Sequence, residues 1–290
     1  MNLKGGNMEV KKPFVIGAGI MGAGIAQLCA QKGYDVTVTD VSDEIIDKAR
    51  NKVTKGLQRR IEKGKISQED MDSVLSRINW VTGLELAGDS DFVIEAVLEN
   101  IDLKKEIFQK LDTLCSADTI MASNTTALSV SEIASATSRP DKIIGMHFFN
   151  PAVIMKLVEI IRGDQTTDET VSATKEFAEK LGKVPVVTFK EAPAGIVSRV
   201  LAGLLNEAAV VYADGIASPQ DIDEAMKLGA GLPMGPLALI DMIGLDIHLA
   251  KMETLYKKLN DERYKPPNII KQMVAEGRLG KKSGEGFYKY

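Results

Sequence analysis

A short apolar run, Phe14-Val15-Ile16, leads directly into Gly17-Ala18-Gly19-Ile20-Met21-Gly22 and then into the helical pattern Ile25-Ala26-Gln27-Leu28. No other feature narrows the possible folds as far. A strand that ends in GxGxxG and hands over to a helix is the opening of a dinucleotide-binding βαβ unit. Each glycine then has its own task. Gly17 permits the tight turn, Gly19 lets a pyrophosphate approach the backbone at the helix N-terminus, and Gly22 lets helix and sheet pack closely. Ile20 and Met21 lie between them and belong to the same candidate cofactor site. Asp40 follows Gly22 by eighteen residues, at the end of the second strand candidate. There a carboxylate accepts hydrogen bonds from the adenosine ribose and repels a 2′-phosphate, so the expected cofactor is NAD rather than NADP. The plainer alternative is a glycine-rich turn in an ordinary α/β core.

The rest of the chain supports such a fold. Strand candidates Phe14–Ile16, Asp35–Thr39, Phe92–Glu95, Thr119–Ala122, Ile143–His147, Leu157–Ile161 and Val184–Thr188 alternate with helical patterns. This is the arrangement of a Rossmann-like, doubly wound, mostly parallel α/β sheet. Residues 42–77 form a long polar insertion in which Ile45, Ile46, Ala49, Val53, Leu57 and Ile61 have helical spacing; its length predicts a helical excursion that projects from the sheet. Pro193 and Gly195 interrupt the pattern after the last strand. The expected division is a dinucleotide-binding domain over 1–191 and an all-helical substrate and dimerisation domain over 192–290.

Composition excludes other classes. The 290 residues carry 36 Lys plus Arg against 40 Asp plus Glu, a net charge of −4, which argues against a general nucleic-acid binder. Even the apolar run after Gly195 is broken by Arg199, Asn206 and Glu207, so no membrane span is expected. Met1 to Val10 lacks the apolar core of a signal peptide and reads as a lead-in, with Met8 as an alternative start. The two cysteines, Cys29 and Cys115, cannot build a disulfide framework or a four-Cys zinc site; no metal is expected, and free thiols suit a cytoplasmic protein.

Further motifs point to one family. Ser123-Asn124-Thr125-Thr126 follows one strand candidate, Gly145-Met146-His147-Phe148-Phe149-Asn150-Pro151 ends another, and Lys156-Leu157-Val158-Glu159 comes shortly after. With the glycine loop, Met226-Lys227-Leu228-Gly229-Ala230-Gly231, Pro233-Met234-Gly235-Pro236 and the closing Gly280-Lys281-Lys282-Ser283-Gly284-Glu285-Gly286-Phe287-Tyr288, the chain resembles the L-3-hydroxyacyl-CoA dehydrogenases from about residue 10 onward. The resemblance implies hydride transfer between NAD and a 3-hydroxyacyl-CoA, and a homodimer formed through the helical domain. Length and the lack of a fused hydratase domain resemble the small bacterial members that act on 3-hydroxybutyryl-CoA.

Oxidising a secondary alcohol requires a base for the hydroxyl proton. Of the two histidines, His147 and His248, only His147 ends a strand of the nucleotide-binding domain, where open α/β sheets place their ligands. By spacing alone it is as readily a hydrogen-bonded core histidine. The resemblance makes His147 the base and Glu159 its orienting carboxylate, with Thr126 where most relatives carry serine, a hydroxyl for the substrate. It places Glu99, Lys104 and Asn124 at the nicotinamide ribose and the acyl-CoA entrance, and Asn150 on the substrate side; by themselves Glu99 reads equally as an N-terminal helix acid and Lys104 as a solvated side chain. One departure is larger. The family's Pro-Gly-Phe-x-x-Asn-Arg is here Pro193-Ala194-Gly195-Ile196-Val197-Ser198-Arg199, so Ser198 stands for the active-site Asn and Gly195 for an aromatic. Asn206 reads as a plain helix residue. Eight Lys and Arg between residues 48 and 65 face the single acid Glu62. They are either a solvated face or, notably Arg59 and Lys63 at i, i+4, contacts for the CoA phosphates. Competing readings are a related dehydrogenase with a reshaped pocket and a non-catalytic NAD-binding homologue.

Overall fold

A computed structural model describes residues 10–290. Apart from Val10, which is buried, the expected N-terminal lead-in with Met8 lies outside the described residues. The chain divides into two compact units between Gly195 and Ile196.

The first unit is built on eight strands: β1 (Pro13–Ile16), β2 (Val36–Asp40), β3 (Ile78–Thr82), β4 (Phe92–Glu95), β5 (Ile120–Ser123), β6 (Ile143–Phe148), β7 (Leu157–Ile161) and β8 (Val184–Thr188). They form one sheet in the order β3-β2-β1-β4-β5-β6-β7-β8, parallel throughout except where β6 meets β7. The helices are α1 (Ile20–Gln31), α2 (Asp43–Glu62), α3 (Gln68–Ser76), α4 (Ile101–Leu114), α5 (Val130–Ala134) and α6 (Asp168–Lys180). Strand side chains alternate between two cores, as the two-residue period of a strand demands. Val15, Val38, Ile94 and Ile144 pack on the side of α1, α2 and α6, whereas Phe14, Ile16, Val93 and Ile143 pack with Phe108 and Leu111 of α4 and Val130 and Ile133 of α5. The chain turns from β1 to β2 on one side and from β4 onward on the other, so the strand order reverses between β1 and β4. That switch point is where sheets of this type leave a crevice for ligands.

Two expectations need correction. Residues 42–77 do not project: Ile46, Ala49, Val53 and Leu57 of α2, with Met71 and Val74 of α3, enter the same core as α1. The amphipathic stripe that made the helix legible also fastens it to the domain. The second is β3, which immediately follows the insertion and adds an edge strand parallel to β2, from Val36 opposite Ile78 to Asp40 opposite Thr82.

The second unit consists of α7 (Val197–Ala213), α8 (Pro219–Ala230), α9 (Pro236–Ile243), α10 (Leu245–Leu259) and α11 (Asn268–Ala275) with short 3-10 turns. Its core joins Leu205, Ala209, Ile222, Leu237, Ile240 and Leu245. Two buried acids bind its ends together. Asp223 of α8 accepts from the N–H groups of Leu237 and Ala238, capping α9 where Gly235 has no side chain to do so. Asp241 accepts from the N–H groups of Phe287 and Tyr288 and so ties down the C-terminal turn. Among the described residues, no helix is long and apolar enough to cross a membrane.

Candidate active site

The glycine loop connects β1 to α1 at the switch point. Gly17 has φ +94, and a Cβ there would stand 2.7 Å from the carbonyl oxygen of Ala96, just beyond β4. A Cβ on Gly22 would overlap the Gly17 carbonyl at 1.7 Å, whereas one on Gly19 would meet nothing within 4 Å. Gly17 and Gly22 are therefore required by the protein's own packing, and Gly19 leaves a cradle open above the first turn of α1. Gly19 is the N-cap of α1 and provides no side-chain cap. The first-turn N–H groups of Ile20, Met21 and Gly22 are those a pyrophosphate would meet there. Asp40 ends β2 and accepts from the N–H groups of Ala18 at 2.6 Å and Val41 at 2.7 Å. Its carboxylate thus braces the loop, and each oxygen keeps a further lone pair for a ribose hydroxyl. These residues fit NAD.

His147 and Glu159 face each other across the single antiparallel pairing of the sheet. Directly opposed residues share a face and bring their side chains within reach. His147 Nδ1 lies 3.2 Å from Glu159 Oε2, and its Nε2 lies 3.2 Å from Thr126 Oγ1. Both are buried, Glu159 at 1% and His147 at 7% exposure. The imidazole stacks obliquely on Phe149 with 4.5 Å between ring centroids. A carboxylate on Nδ1 keeps a proton there and leaves Nε2 as the acceptor, so the hydroxyl–imidazole–carboxylate chain can take up and return a proton at Nε2.

A buried polar network holds the loop that carries Thr126. Lys104 of α4 is 1% exposed; its Nζ lies 2.5 Å from Oε1 of the fully buried Glu95 and 3.5 Å from Oε2 of Glu99. The other oxygen of Glu95 accepts from Ser123 Oγ at 2.6 Å. Glu99 Oε1 accepts from the Thr125 hydroxyl and from the N–H groups of Thr126 and Ala127. Burial pushes the Glu99 carboxyl up, but the Thr125 hydroxyl, the Ala127 N–H, the Lys104 ammonium and the Thr126 N–H together hold it below the usual carboxylate range. Asn124 Oδ1 accepts from the Phe148 N–H at 2.8 Å, linking this loop to the end of β6. Lys104 is thus neither solvated nor aimed outward: its charge is spent on Glu95 and Glu99.

Beside the glycine loop lies a cavity of about 600 Å³, lined among others by Gly19, Ile20, Gln27, Lys48, Lys52 and Asn150. Lys183 of the first unit, 7% exposed, supports its rim by donating from Nζ to the carbonyls of Ala152 and Met155. Burial, with Lys32 nearby, holds the Lys183 ammonium below the usual lysine range. Arg59 and Lys63 do not line this cavity. They stand exposed at the C-terminal end of α2, roughly two to four turns beyond Lys48 and Lys52, where they also complement the helix dipole. Ser198 is half-buried in the first turn of α7, in the second unit. Asn206 is buried in α7 and donates to the Lys265 carbonyl within the same unit.

Four residues in this frame had not been expected: Glu95, Thr125, Lys183 and Glu191, the last of which accepts from Ser129 Oγ and the Ser131 N–H at the start of α5. Only Glu95 left a signal, as an acid closing the apolar run Phe92-Val93-Ile94. Such a residue inside a buried strand demands a buried cation.

Nicotinamide-dependent dehydrogenases are the class that the loop at the switch point and the carboxylate-held imidazole define together. Residues 12–192 match the NAD binding domain of 3-hydroxyacyl-CoA dehydrogenase and residues 196–290 match its C-terminal domain. The chain therefore belongs to the 3-hydroxyacyl-CoA dehydrogenase family, and its cofactor is NAD. It is 46% identical over 276 residues to a 3-hydroxybutyryl-CoA dehydrogenase of Clostridioides difficile, covering 95% of this chain and 98% of that one. Similarity to the human mitochondrial hydroxyacyl-coenzyme A dehydrogenase is 41% identity over 289 residues, covering 97% and 91% of the two chains. Among solved structures, the (S)-3-hydroxybutyryl-CoA dehydrogenase of Ralstonia eutropha superposes with a TM-score of 0.93 at 45% identity, covering 97% of this chain and 99% of that one.

Proposed function

We propose that the protein interconverts (S)-3-hydroxybutyryl-CoA, or a similar short 3-hydroxyacyl-CoA, and acetoacetyl-CoA, with His147 as general acid and base. The observation that carries this reading is the chain from Thr126 through His147 to Glu159, fixed by the register of β6 and β7. Bound NAD supplies the hydride acceptor at the substrate carbon. His147 Nε2 receives the hydroxyl proton during oxidation and returns it during reduction, and Glu159 stabilises the imidazolium in between. Thr126 Oγ1, beside the same nitrogen, fixes the substrate oxygen by a hydrogen bond. Asp40 binds the adenosine ribose, the Gly17–Gly22 loop the pyrophosphate, and Glu99, Lys104 and Asn124 shape the nicotinamide end.

The cavity beside Asn150 takes part of the CoA moiety, and Arg59 and Lys63 meet its phosphates; Ser198, in the second unit, takes the place of the active-site Asn of the family motif. The second unit exposes Val200, Ile216, Leu228 and Met242 at between 54% and 80%, apolar surface of the kind a homodimer would cover. Two buried free thiols, Cys29 and Cys115, suit a cytoplasmic enzyme.

The test is oxidation of NADH by acetoacetyl-CoA, run beside NADPH, free 3-oxo acids and longer 3-oxoacyl-CoA esters. His147→Gln should lower kcat by about 10²–10⁴-fold with NADH affinity unchanged. Near-normal turnover in that variant would remove His147 from the mechanism, and preference for a free acid would favour the reshaped-pocket reading.

A further inference from the structure

Gly195 closes the first unit, is buried and has φ +57, directly after Ala194 at φ +66. A Cβ placed on Gly195 would stand 2.4 Å from Oε2 of Glu159 and 3.3 Å from its Cδ. That oxygen is the one that meets Nδ1 of His147 at 3.2 Å. Side-chain carbons do not approach oxygens so closely, so any residue with a Cβ here must displace the carboxylate. Glu159 is 1% exposed and its strand is paired on both sides, so the side chain has little free space to withdraw into, and any shift of Oε2 is a shift relative to Nδ1 of His147.

We propose that Gly195 is a positioning residue for proton transfer: the space of its absent side chain is what lets Glu159 Oε2 seat against His147. This rests on the reading of His147 and Glu159 as base and orienting acid. Gly195 also lies in the left-handed region, where any side chain is strained, so backbone strain and the clash with Glu159 have to be told apart. A bulky aromatic, the residue of the related motif, could not share this backbone path with the carboxylate in its present place. The exchange to Gly195 is therefore coupled to how the acid is held in this chain.

A double-mutant cycle separates this from simple backbone strain. In the wild type, Gly195→Ala should lower kcat by up to roughly 10²-fold, the scale of a displacement of about 1 Å among catalytic groups, with KM for NADH little changed. In a Glu159→Asp background the shorter side chain withdraws from Gly195, and adding Gly195→Ala should then cost less than about 2-fold. Where thermal melting shows that Gly195→Ala does not fold, Gly195→Asn takes its place, since Asn accepts the left-handed region and still carries a Cβ. Equal losses in both backgrounds, or wild-type kcat in Gly195→Ala, would overturn the proposal while leaving the proton-transfer pair intact. Wild-type turnover in Glu159→Gln would instead overturn the reading of Glu159, and the proposal with it.

Discussion

Replacing Lys104 by Met tests whether the loop carrying Thr126 hangs on a buried ion pair. The variant preserves the side chain's bulk and deletes its ammonium. Glu95, fully buried, would keep only the Ser123 hydroxyl at 2.6 Å and the Val97 N–H at 2.7 Å, with no cation to balance its charge. Breaking a buried pair by removing one partner costs about 3–5 kcal/mol, because the remaining charge stays in a medium that solvates it poorly. With a urea dependence of about 2–3 kcal/mol per molar, the unfolding midpoint should fall by roughly 1–2 M. The single tryptophan, Trp80, lies in β3 of the same unit, so its fluorescence follows this unit and not the helical one. Glu99 also loses the cation at 3.5 Å that helps hold it ionised against Thr126 and Ala127, so KM for NADH or acetoacetyl-CoA should rise in the folded variant. Adding Glu95→Gln removes the orphaned charge and should recover part of the lost stability. An unchanged midpoint in Lys104→Met, or a double variant less stable than the sum of both single losses, would refute the reasoning.

Three further outcomes follow from single positions. Asp40→Ala should weaken NADH binding and relax discrimination against NADPH in a direct titration; a wild type that already prefers NADPH contradicts the assignment. Ser198→Asn should raise kcat/KM for acetoacetyl-CoA by roughly 2- to 12-fold, the worth of one hydrogen bond of about 0.5–1.5 kcal/mol, and a clear loss in a folded variant would indicate a differently built pocket. Burial, aided by Lys251, pushes the imidazole of His248 from 6.5 down to about 4. The unfolded chain therefore binds a proton that the folded one refuses as pH falls from 6.5 towards 4, and roughly 3 kcal/mol of stability is lost across that window. His248→Leu should flatten this acid slope in urea titrations of the helical unit, and an unaltered slope would dismiss His248 as its source.

Much of the fold is legible because its devices are local. The glycine loop, the α2 stripe and the strand runs each announce themselves within a few residues, and Ser67 and Asp70 even form a capping box at the start of α3. β3 escapes because Ile78-Asn79-Trp80-Val81-Thr82 makes a short, partly exposed edge strand whose partner among the described strands, β2, lies across the whole insertion. Whether α2 and α3 fold back or project is likewise settled by packing against α1, which no periodicity encodes. Lys104 illustrates the same limit within the site. Its residue type suggests a solvated or ligand-facing cation, and only the approach of β4 reveals Glu95 as its counter-charge.

The proton-transfer pair depends on the least local feature of all. In β6, Ile143, Gly145 and His147 point to one face, and across from them Ile161 and Glu159 continue the same row. The pairing is tight enough that a Cβ on Gly145 would stand 2.7 Å from Cβ of Ile161, so the glycine keeps the two strands in this register. A slip of one residue would turn Glu159 to the opposite face, where Val158 and Ile160 now pack among the core residues, and leave His147 without its acid. The sequence displays His147 and Glu159 as two polar residues near strand ends. What makes them a pair is the reversal of chain direction between β6 and β7, in an otherwise parallel sheet, together with the small residue that locks it.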